Sequence, residues 1–122
     1  MRVLIVDDNE PVRRAVGHLF TPASSLEVCG EASNAAEALE KVRGLRPDVV
    51  LVDMSMPGAN GLDTARLIRK EMPEIKILIM SHHDPQVLTT AALEAGANGS
   101  VDKSTLSLDV LARAIKTLDR GQ

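Results

Sequence analysis

The stretch Pro47-Asp48-Val49-Val50-Leu51-Val52-Asp53-Met54-Ser55-Met56-Pro57-Gly58 decides how this chain folds. Its apolar residues are continuous rather than alternating, which predicts a strand over 48–53 that is buried on both faces. Asp53 stands at the tip of that strand, and a Pro-Gly turn follows almost at once. A core strand gains nothing from a carboxylate at its edge, so we expect Asp53 to have a chemical role.

Outward from this strand, strands and helices alternate along the whole chain. Four more short apolar runs predict strands over 2–7, 26–32, 75–80 and 99–102. Apolar residues at helical spacing predict five helices, which begin near Pro11, Asn34, Gly61, Pro85 and, with Ser104 as N-cap, after the last strand. We expect the second helix to end near Gly44 and the fourth at Gly96. Strict βα alternation predicts a single α/β domain, a doubly wound five-stranded parallel sheet with helices on both faces.

Composition excludes several classes of function. The chain has 122 residues, a net charge of −3 and one aromatic residue, Phe20. The charge gives no general attraction to nucleic-acid phosphates, and a single aromatic residue offers bases little to stack on. No apolar run has the length of a membrane span, and residues 1–6 are too short for a signal peptide. We therefore expect a cytoplasmic domain that binds neither nucleic acid nor membrane.

Polar residues follow four of the five predicted strands. Asp7 and Asp8 follow the first, Asp53 ends the third, Ser81 follows the fourth and Lys103 follows the fifth. In an open parallel sheet these carboxyl ends meet at one edge, where ligands bind. Singly, each residue has an ordinary alternative as a helix cap, a turn or a solvated strand end. Their occurrence together at one edge favours a functional site.

The chemistry of this set is that of phosphoryl transfer. Three carboxylates at one edge repel one another unless a cation intervenes, and an all-oxygen set that keeps some water suits Mg²⁺. Lys103 supplies a compact positive charge for a phosphoryl oxygen, and Ser81 supplies a hydroxyl donor. A carboxylate such as that of Asp53 is itself a nucleophile that forms aspartyl-phosphate.

The sequence resembles the receiver domains of two-component response regulators over essentially its whole length, 1–122. The resemblance is carried by Val3-Leu4-Ile5-Val6-Asp7-Asp8, Asp53-Met54-Ser55-Met56-Pro57-Gly58 with Asn60-Gly61-Leu62, Ile79-Met80-Ser81, and Ala95-Gly96-Ala97 leading to Lys103. It implies a flavodoxin-like sheet with strand order 2-1-3-4-5. It also implies a phosphoacceptor that catalyses its own phosphorylation and dephosphorylation rather than a turnover enzyme.

The resemblance implies a role for each site residue. Asp53 accepts the phosphoryl group from a phosphohistidine of a sensor histidine kinase. Asp8 binds Mg²⁺ directly, Asp7 largely through water, and the metal ligands also include Asp53 and the backbone carbonyl of Ser55. Lys103 pairs with the phosphoryl group. Ser81 moves toward that group and relays a conformational switch.

Two statements about partners follow from the same resemblance. The last helix, with Val110-Leu111-Ala112-Arg113-Ala114-Ile115 before Gly121, resembles receivers that continue into a helix-turn-helix DNA-binding domain. The chain is thus expected to be the N-terminal part of a transcription regulator, with a stand-alone phosphorelay protein as the alternative. Besides the kinase, a second copy of the chain is a candidate partner after phosphorylation.

The sequence also departs from the family pattern. Ser100 stands where an aromatic residue usually accompanies the switch hydroxyl, Ser104 replaces a frequent proline, and His82 follows Ser81 where a small residue is common. His83 and Ser55 occupy positions that, by resemblance, flank the attacking water in dephosphorylation. Because Ser100 replaces the aromatic residue, the sequence predicts that signal output relies on Ser81 and backbone movement alone.

Three other classes of function stay open at this point. A receiver-like interaction module without phosphoacceptor activity would retain the fold and dock partners. A metal-dependent phosphatase would want a second carboxylate two residues after the nucleophile, where this chain has Ser55. A flavin-binding protein of this topology often shields its ligand with aromatic residues, and this chain has only Phe20.

Overall fold

The sheet has five parallel strands. The structure, a computed structural model, describes residues 1–20, 25–56, 58, 60–82 and 85–120, and for 85–89 and 117–120 only the backbone. The strands are β1 (Arg2–Val6), β2 (Glu27–Ala32), β3 (Val49–Asp53), β4 (Lys76–Ser81) and β5 (Gly99–Asp102). Their order is β2-β1-β3-β4-β5, and all pairs are parallel. The predicted fold class and strand order are confirmed.

Five α-helices connect and follow the strands. They are α1 (Glu10–Gly17), α2 (Ala35–Leu45), α3 (Gly61–Glu71), α4 (Pro85–Glu94) and α5 (Leu108–Arg120), with a short 3-10 turn at Lys103–Thr105. Asparagine side chains cap α1, α2 and α3: Asn9, Asn34 and Asn60 each accept a hydrogen bond from a backbone N–H in the first turn. None of the described helices has the length and apolarity that a membrane crossing needs.

Alternate residues of the strands build two separate cores. Leu4, Val50 and Ile77 belong to the core shared with α2, α3 and α4. Val3 and Leu51 belong to the core on the opposite face, against α1 and α5. Because both faces of β1, β3 and β4 are covered, the buried positions of these strands are apolar except at the last residues of β3 and β4, Asp53 and Ser81.

The outer strand β2 is less regular than the central ones. Its pairing with β1 shifts register between Val3 and Leu4, which is a β-bulge. A Cβ at Gly30 would lie 2.7 Å from a methyl of Leu45, so glycine lets α2 pack closely on this strand. Glu27 and Glu31 are exposed on β2.

One predicted helix boundary is confirmed and another is wrong. Helix α2 ends at Leu45, next to the predicted Gly44, with Arg46 in the left-handed region at φ 49°. The prediction that Ser104 is the N-cap of α5 is wrong, because Ser104 lies inside the 3-10 turn. There its N–H donates to Asp102 Oδ1 at 2.9 Å. Ser107 takes the capping role, because its Oγ accepts from Val110 N–H at 3.2 Å. The predicted Pro57-Gly58 turn lies partly outside the described residues.

One arginine ties α3 to the amino ends of β4 and β5, which we call the amino edge. Arg69 Nε donates to Gly96 O at 2.8 Å, and Nη2 donates to Asn98 Oδ1 at 2.8 Å. Its Nη1 donates to Pro73 O at 2.8 Å and Ile75 O at 2.5 Å. The same Asn98 oxygen accepts from the backbone N–H of Ile77 at 2.8 Å. The guanidinium therefore joins the α3–β4 and α4–β5 connections.

Candidate functional site

The carboxyl ends of the strands, which we call the carboxyl edge, gather the polar residues that the sequence singled out. Asp53 is the last residue of β3 and Ser81 the last of β4, one position beyond the Asp53–Met80 pair. Both are nearly buried, with 6% and 3% of their surface exposed. Asp7 comes directly after β1 and is 1% exposed, while Asp8 is exposed. Parallel register brings residues distant in the chain to one place.

Three carboxylates form a cluster at this edge. One oxygen from each of Asp7, Asp8 and Asp53 lies within 4.8 Å of the others, the one such group of potential metal ligands among the described residues. The backbone N–H of Asn9 donates to Asp7 Oδ1 at 2.9 Å. This bond holds the Asp7 carboxylate inward at the start of α1.

Lys103 bridges two of the three acids. Its Nζ donates to Asp7 Oδ2 at 2.6 Å and to Asp53 Oδ1 at 3.0 Å. The lysine can reach inward because the chain turns immediately after β5, where Asp102 accepts from Ser104 N–H. Burial alone would lower the pKa of Lys103, but the hydrogen bonds to Asp7 and Asp53 outweigh burial and raise the pKa above its ordinary value. Lys103 is therefore a fixed positive charge.

Burial sets the acidity of Asp53. Loss of solvent raises its pKa above the ordinary value, and the neighbouring charge of Asp7 raises it further. The hydrogen bond from Lys103 opposes this shift, and so does the backbone N–H of Ser55. The carboxylate is thus partly desolvated but held by donors, which suits a nucleophile.

The donor set fits a hard, hydrated cation. Every candidate ligand is an oxygen atom, and one lysine faces three acids, which leaves unbalanced negative charge. Oxygen ligands with room for water are what Mg²⁺ prefers. Asp7, Asp8 and Asp53 are the side chains that could hold such an ion.

An apolar groove of about 280 Å³ opens beside Lys103. It runs along α1 to the segment before α5 and is lined by Val12, Ala15, Val16, Leu19, His82 and Leu106 as well as Lys103. His82 is exposed at this rim. Ser100 lies half-buried in β5 opposite Ile79. His83 lies outside the described residues.

Arg13 is a neighbour of the site that sequence reasoning missed. Its Nη1 donates to the backbone carbonyl of Asp7 at 2.6 Å, and its Nε donates to Glu31 Oε1 at 3.1 Å. It thereby joins α1, the end of β1 and β2. Nothing in the sequence distinguishes Arg13 from the adjacent Arg14, which pairs with Glu10 on the surface.

A family model described as response regulator receiver domain matches residues 3–116. The chain belongs to the response regulator receiver domain family. The structure is similar to that of a LuxR-family two-component response regulator from Aurantimonas sp. SI85-9A1. That likeness has a TM-score of 0.86 and 33% identity, and covers 99% of this chain and 86% of that one. The receiver fold and its family, as expected from the sequence, are confirmed.

Curated relatives of this receiver domain are longer proteins. Response regulator GacA of Pseudomonas viridiflava is 36% identical over 122 residues, all of this chain and 56% of the relative. The DNA-binding transcriptional activator DevR/DosR of Mycobacterium tuberculosis is also 36% identical over 122 residues, again 56% of its length. The receiver domain thus spans little more than half the length of these relatives.

Proposed function

We propose that this receiver domain, residues 1–122, accepts a phosphoryl group on Asp53 from a phosphohistidine of a sensor histidine kinase, in a reaction that requires Mg²⁺. The observation that carries the proposal is the Lys103 bridge between Asp7 and Asp53 within a three-carboxylate cluster. Phosphoryl transfer needs mainly alignment and neutralisation of charge, and this cluster offers both.

In the proposed step, an oxygen of Asp53 attacks phosphorus. The P–O bond forms as the P–N bond of the phosphohistidine breaks, and the leaving imidazole nitrogen keeps the electron pair and takes a proton from water. Lys103 already donates to Asp53 Oδ1, so it is positioned to follow the charge onto the phosphoryl oxygens. Ser81, buried at the neighbouring strand end, is the proposed hydroxyl that senses the new group.

Bound Mg²⁺ supplies charge neutralisation between the acids and the incoming phosphoryl oxygens. Asp8 is the proposed direct side-chain ligand besides Asp53, because it is exposed at the cluster. Asp7 already accepts hydrogen bonds from Asn9 and Lys103, which favours contact through water. The backbone carbonyl of Ser55 is the further proposed ligand.

The wider role proposed is that of the receiver part of a cytoplasmic transcription regulator. The relatives named above include a DNA-binding transcriptional activator, and the chain spans only 56% of its length. The length of the native gene product tests this part. Size-exclusion chromatography before and after phosphorylation tests the candidate homodimer.

Phosphorylation with acetyl phosphate tests the central claim. We expect intact-protein mass spectrometry to detect Mg²⁺-dependent incorporation into the wild type and none above background in Asp53→Asn. Asp48→Asn is the matched control: it changes the opposite end of β3, and an amide oxygen can still accept from Arg2 N–H. Full incorporation in Asp53→Asn would exclude Asp53 as acceptor. No incorporation in the wild type would favour the interaction module without phosphoacceptor activity.

A further inference from the structure

We infer that Gly61 is a positioning residue for the phosphoacceptor, because the backbone of Asp53 occupies the space that a side chain at 61 would need. This inference rests on the proposed function of Asp53. Gly61 is the first residue of α3 and is buried. Its N–H donates to the carbonyl of Met54 at 2.9 Å, so the helix begins directly against the end of β3.

The contact leaves no room for even a methyl group. A Cβ at position 61 would lie 2.7 Å from Met54 Cα and 2.9 Å from the carbonyl carbon of Asp53, and closer still to the carbonyl oxygen of Asp53. All three atoms belong to the backbone, so no side-chain rotation relieves the clash. Real Cβ atoms essentially never lie within 3.0 Å of another heavy atom, so the end of β3 and the start of α3 must move apart to admit a side chain.

Helix α3 cannot readily yield as a rigid body. Near the far end of the helix, the Arg69 guanidinium donates hydrogen bonds to Gly96, Asn98 and Ile75. At its start Asn60 Oδ1 accepts from Asp63 N–H at 3.0 Å. The helix is also held by Ala65 and Ile68, which are buried in the core.

Strand β3 is held on both sides only as far as Val52, which pairs with β1 and with β4. Beyond it, Asp53 pairs with Met80 of β4 alone, and Met54 N–H donates to Met80 O at 2.9 Å. The displacement then falls on the segment 53–56, which has a neighbouring strand on one side only. That segment contains the Asp53 carboxylate and Ser55, whose N–H stabilises the ionised form of Asp53.

The expected consequence is a loss of alignment more than a loss of fold. The partners of Asp53 stand on other elements: Asp7 follows β1 and Lys103 follows β5. A shift of segment 53–56 leaves those partners in place and moves the acceptor away from them. Misplacement by about 1 Å at a reacting centre can cost roughly 100-fold in rate. Gly61 thus sets the distances from the Asp53 carboxylate to Lys103 and to Asp7.

Gly61→Ala tests the inference, with Gly96→Ala as a matched destabilised control. Gly96 has φ +94°, and a Cβ there would meet Arg69 Cγ at 3.0 Å, so that variant is strained at the amino edge, remote from Asp53. Gly44→Ala, where nothing lies within 4 Å, is the unstrained control. All variants are compared at a temperature at which circular dichroism shows them folded.

We expect Gly61→Ala to lose roughly 10- to 100-fold in the initial rate of Mg²⁺-dependent phosphorylation by acetyl phosphate, whereas Gly96→Ala and Gly44→Ala retain the wild-type rate. NMR amide shifts without a phosphoryl donor should move at Asp53, Met54 and Ser55 in Gly61→Ala only. The amide shifts report the position of the Asp53 backbone whether or not the wild type is phosphorylated. A wild type that is not phosphorylated would overturn the proposed function and leave this measurement of position intact.

A wild-type rate in folded Gly61→Ala, or an equal loss in Gly96→Ala, would overturn the inference. If Gly61→Ala does not fold, Asn60→Ala loosens the same helix start by removing its cap while keeping the glycine. We then expect a smaller but measurable loss of rate with the same displaced amide shifts. Unchanged rate and shifts in Asn60→Ala would also overturn the inference.

Discussion

The two ends of the sheet each hold a partly buried cation, and the two cations have opposite surroundings. At the carboxyl edge Lys103 faces the carboxylates of Asp7 and Asp53. At the amino edge Arg69 faces neutral oxygens, the carbonyls of Gly96 and Ile75 and the amide of Asn98. The pKa of Lys103 is raised, because hydrogen bonds to the acids outweigh burial, whereas burial lowers the pKa of Arg69.

The different surroundings indicate different roles: Arg69 contributes to stability, and Lys103 belongs to the site for which we propose chemistry. The planar guanidinium of Arg69 uses its fork of donors to close two connections, and its contacts are satisfied without any added ligand. Lys103 is one positive charge among three acids, so the carboxyl edge keeps a surplus of negative charge that a metal ion would neutralise. One end of the sheet thus carries a structural cross-link, and the other carries a cluster of carboxylates whose charge is not balanced.

The largest effect is expected from Lys103→Met. Loss of a preorganised charged donor to the transferring group should lower the phosphorylation rate by about 10²- to 10³-fold. Lys103→Arg should recover little of this, since a planar guanidinium does not fit a site shaped for a compact ammonium. The measurement is the initial rate with acetyl phosphate and Mg²⁺. Lys70→Met, at an exposed position on α3, is the control, and a wild-type rate in Lys103→Met would contradict the assignment.

The next effect is on stability rather than on rate. Arg69→Met removes several hydrogen bonds and leaves carbonyls without a donor, which should lower the free energy of unfolding by about 2–4 kcal/mol. Arg66→Met, on the exposed face of the same helix, should change it by less than about 0.5 kcal/mol. Urea unfolding measures both. A folded Arg69→Met variant that lost phosphorylation as Lys103→Met does would show that the two edges are not independent.

The smallest effect concerns pH. The pKa of Asp53 in the folded protein is raised above its ordinary 3.8, so the folded state holds this proton more tightly than the unfolded state does. Its contribution to stability is complete below pH 3.8 and is lost as the pH rises through the folded pKa. We expect Asp53→Asn to unfold at a higher temperature than the wild type near neutral pH, with the gap closing toward acid pH.

Added Mg²⁺ should reverse that gap. A ligand that binds only the folded wild type stabilises it by mass action, whereas the variant has lost one carboxylate of the cluster. Thermal unfolding followed by circular dichroism, with Mg²⁺ and with an equal ionic strength of NaCl, separates binding from screening. A gap that stays constant with pH, or that Mg²⁺ leaves unchanged, would show that Asp53 ionisation does not govern the stability of this edge.

Much of the fold could be predicted because its signals are local. Continuous apolar runs mark β1, β3 and β4, and strict alternation with helices restricts the topology to a doubly wound sheet. The same logic placed Asp53, Ser81 and Lys103 at one edge, since parallel strands carry their final residues to the same side. Helix α3 begins at the predicted Gly61, where Asn60 caps it, and strand β5 has the predicted bounds 99–102.

The remainder depends on packing that sequence does not encode locally. Asp7 and Asp8 are identical in type, and only the fold decides that the first is buried and the second exposed. Arg69 belongs by pattern to an ordinary helix surface, yet the adjoining connections enclose it. The cap of α5 was assigned to Ser104 rather than Ser107 because the intervening 3-10 turn has no strong signal of its own.

The irregular outer strand has a consequence for self-association. An exposed strand edge is a template on which a second chain can add, and such growth leads to aggregation. Here β2 is interrupted by its bulge and carries two exposed glutamates, and the opposite outer strand β5 has only four residues. Both borders of the sheet therefore resist strand addition. We expect any assembly made through this domain to use helical or loop surfaces, and the sheet to remain closed to extension at high protein concentration.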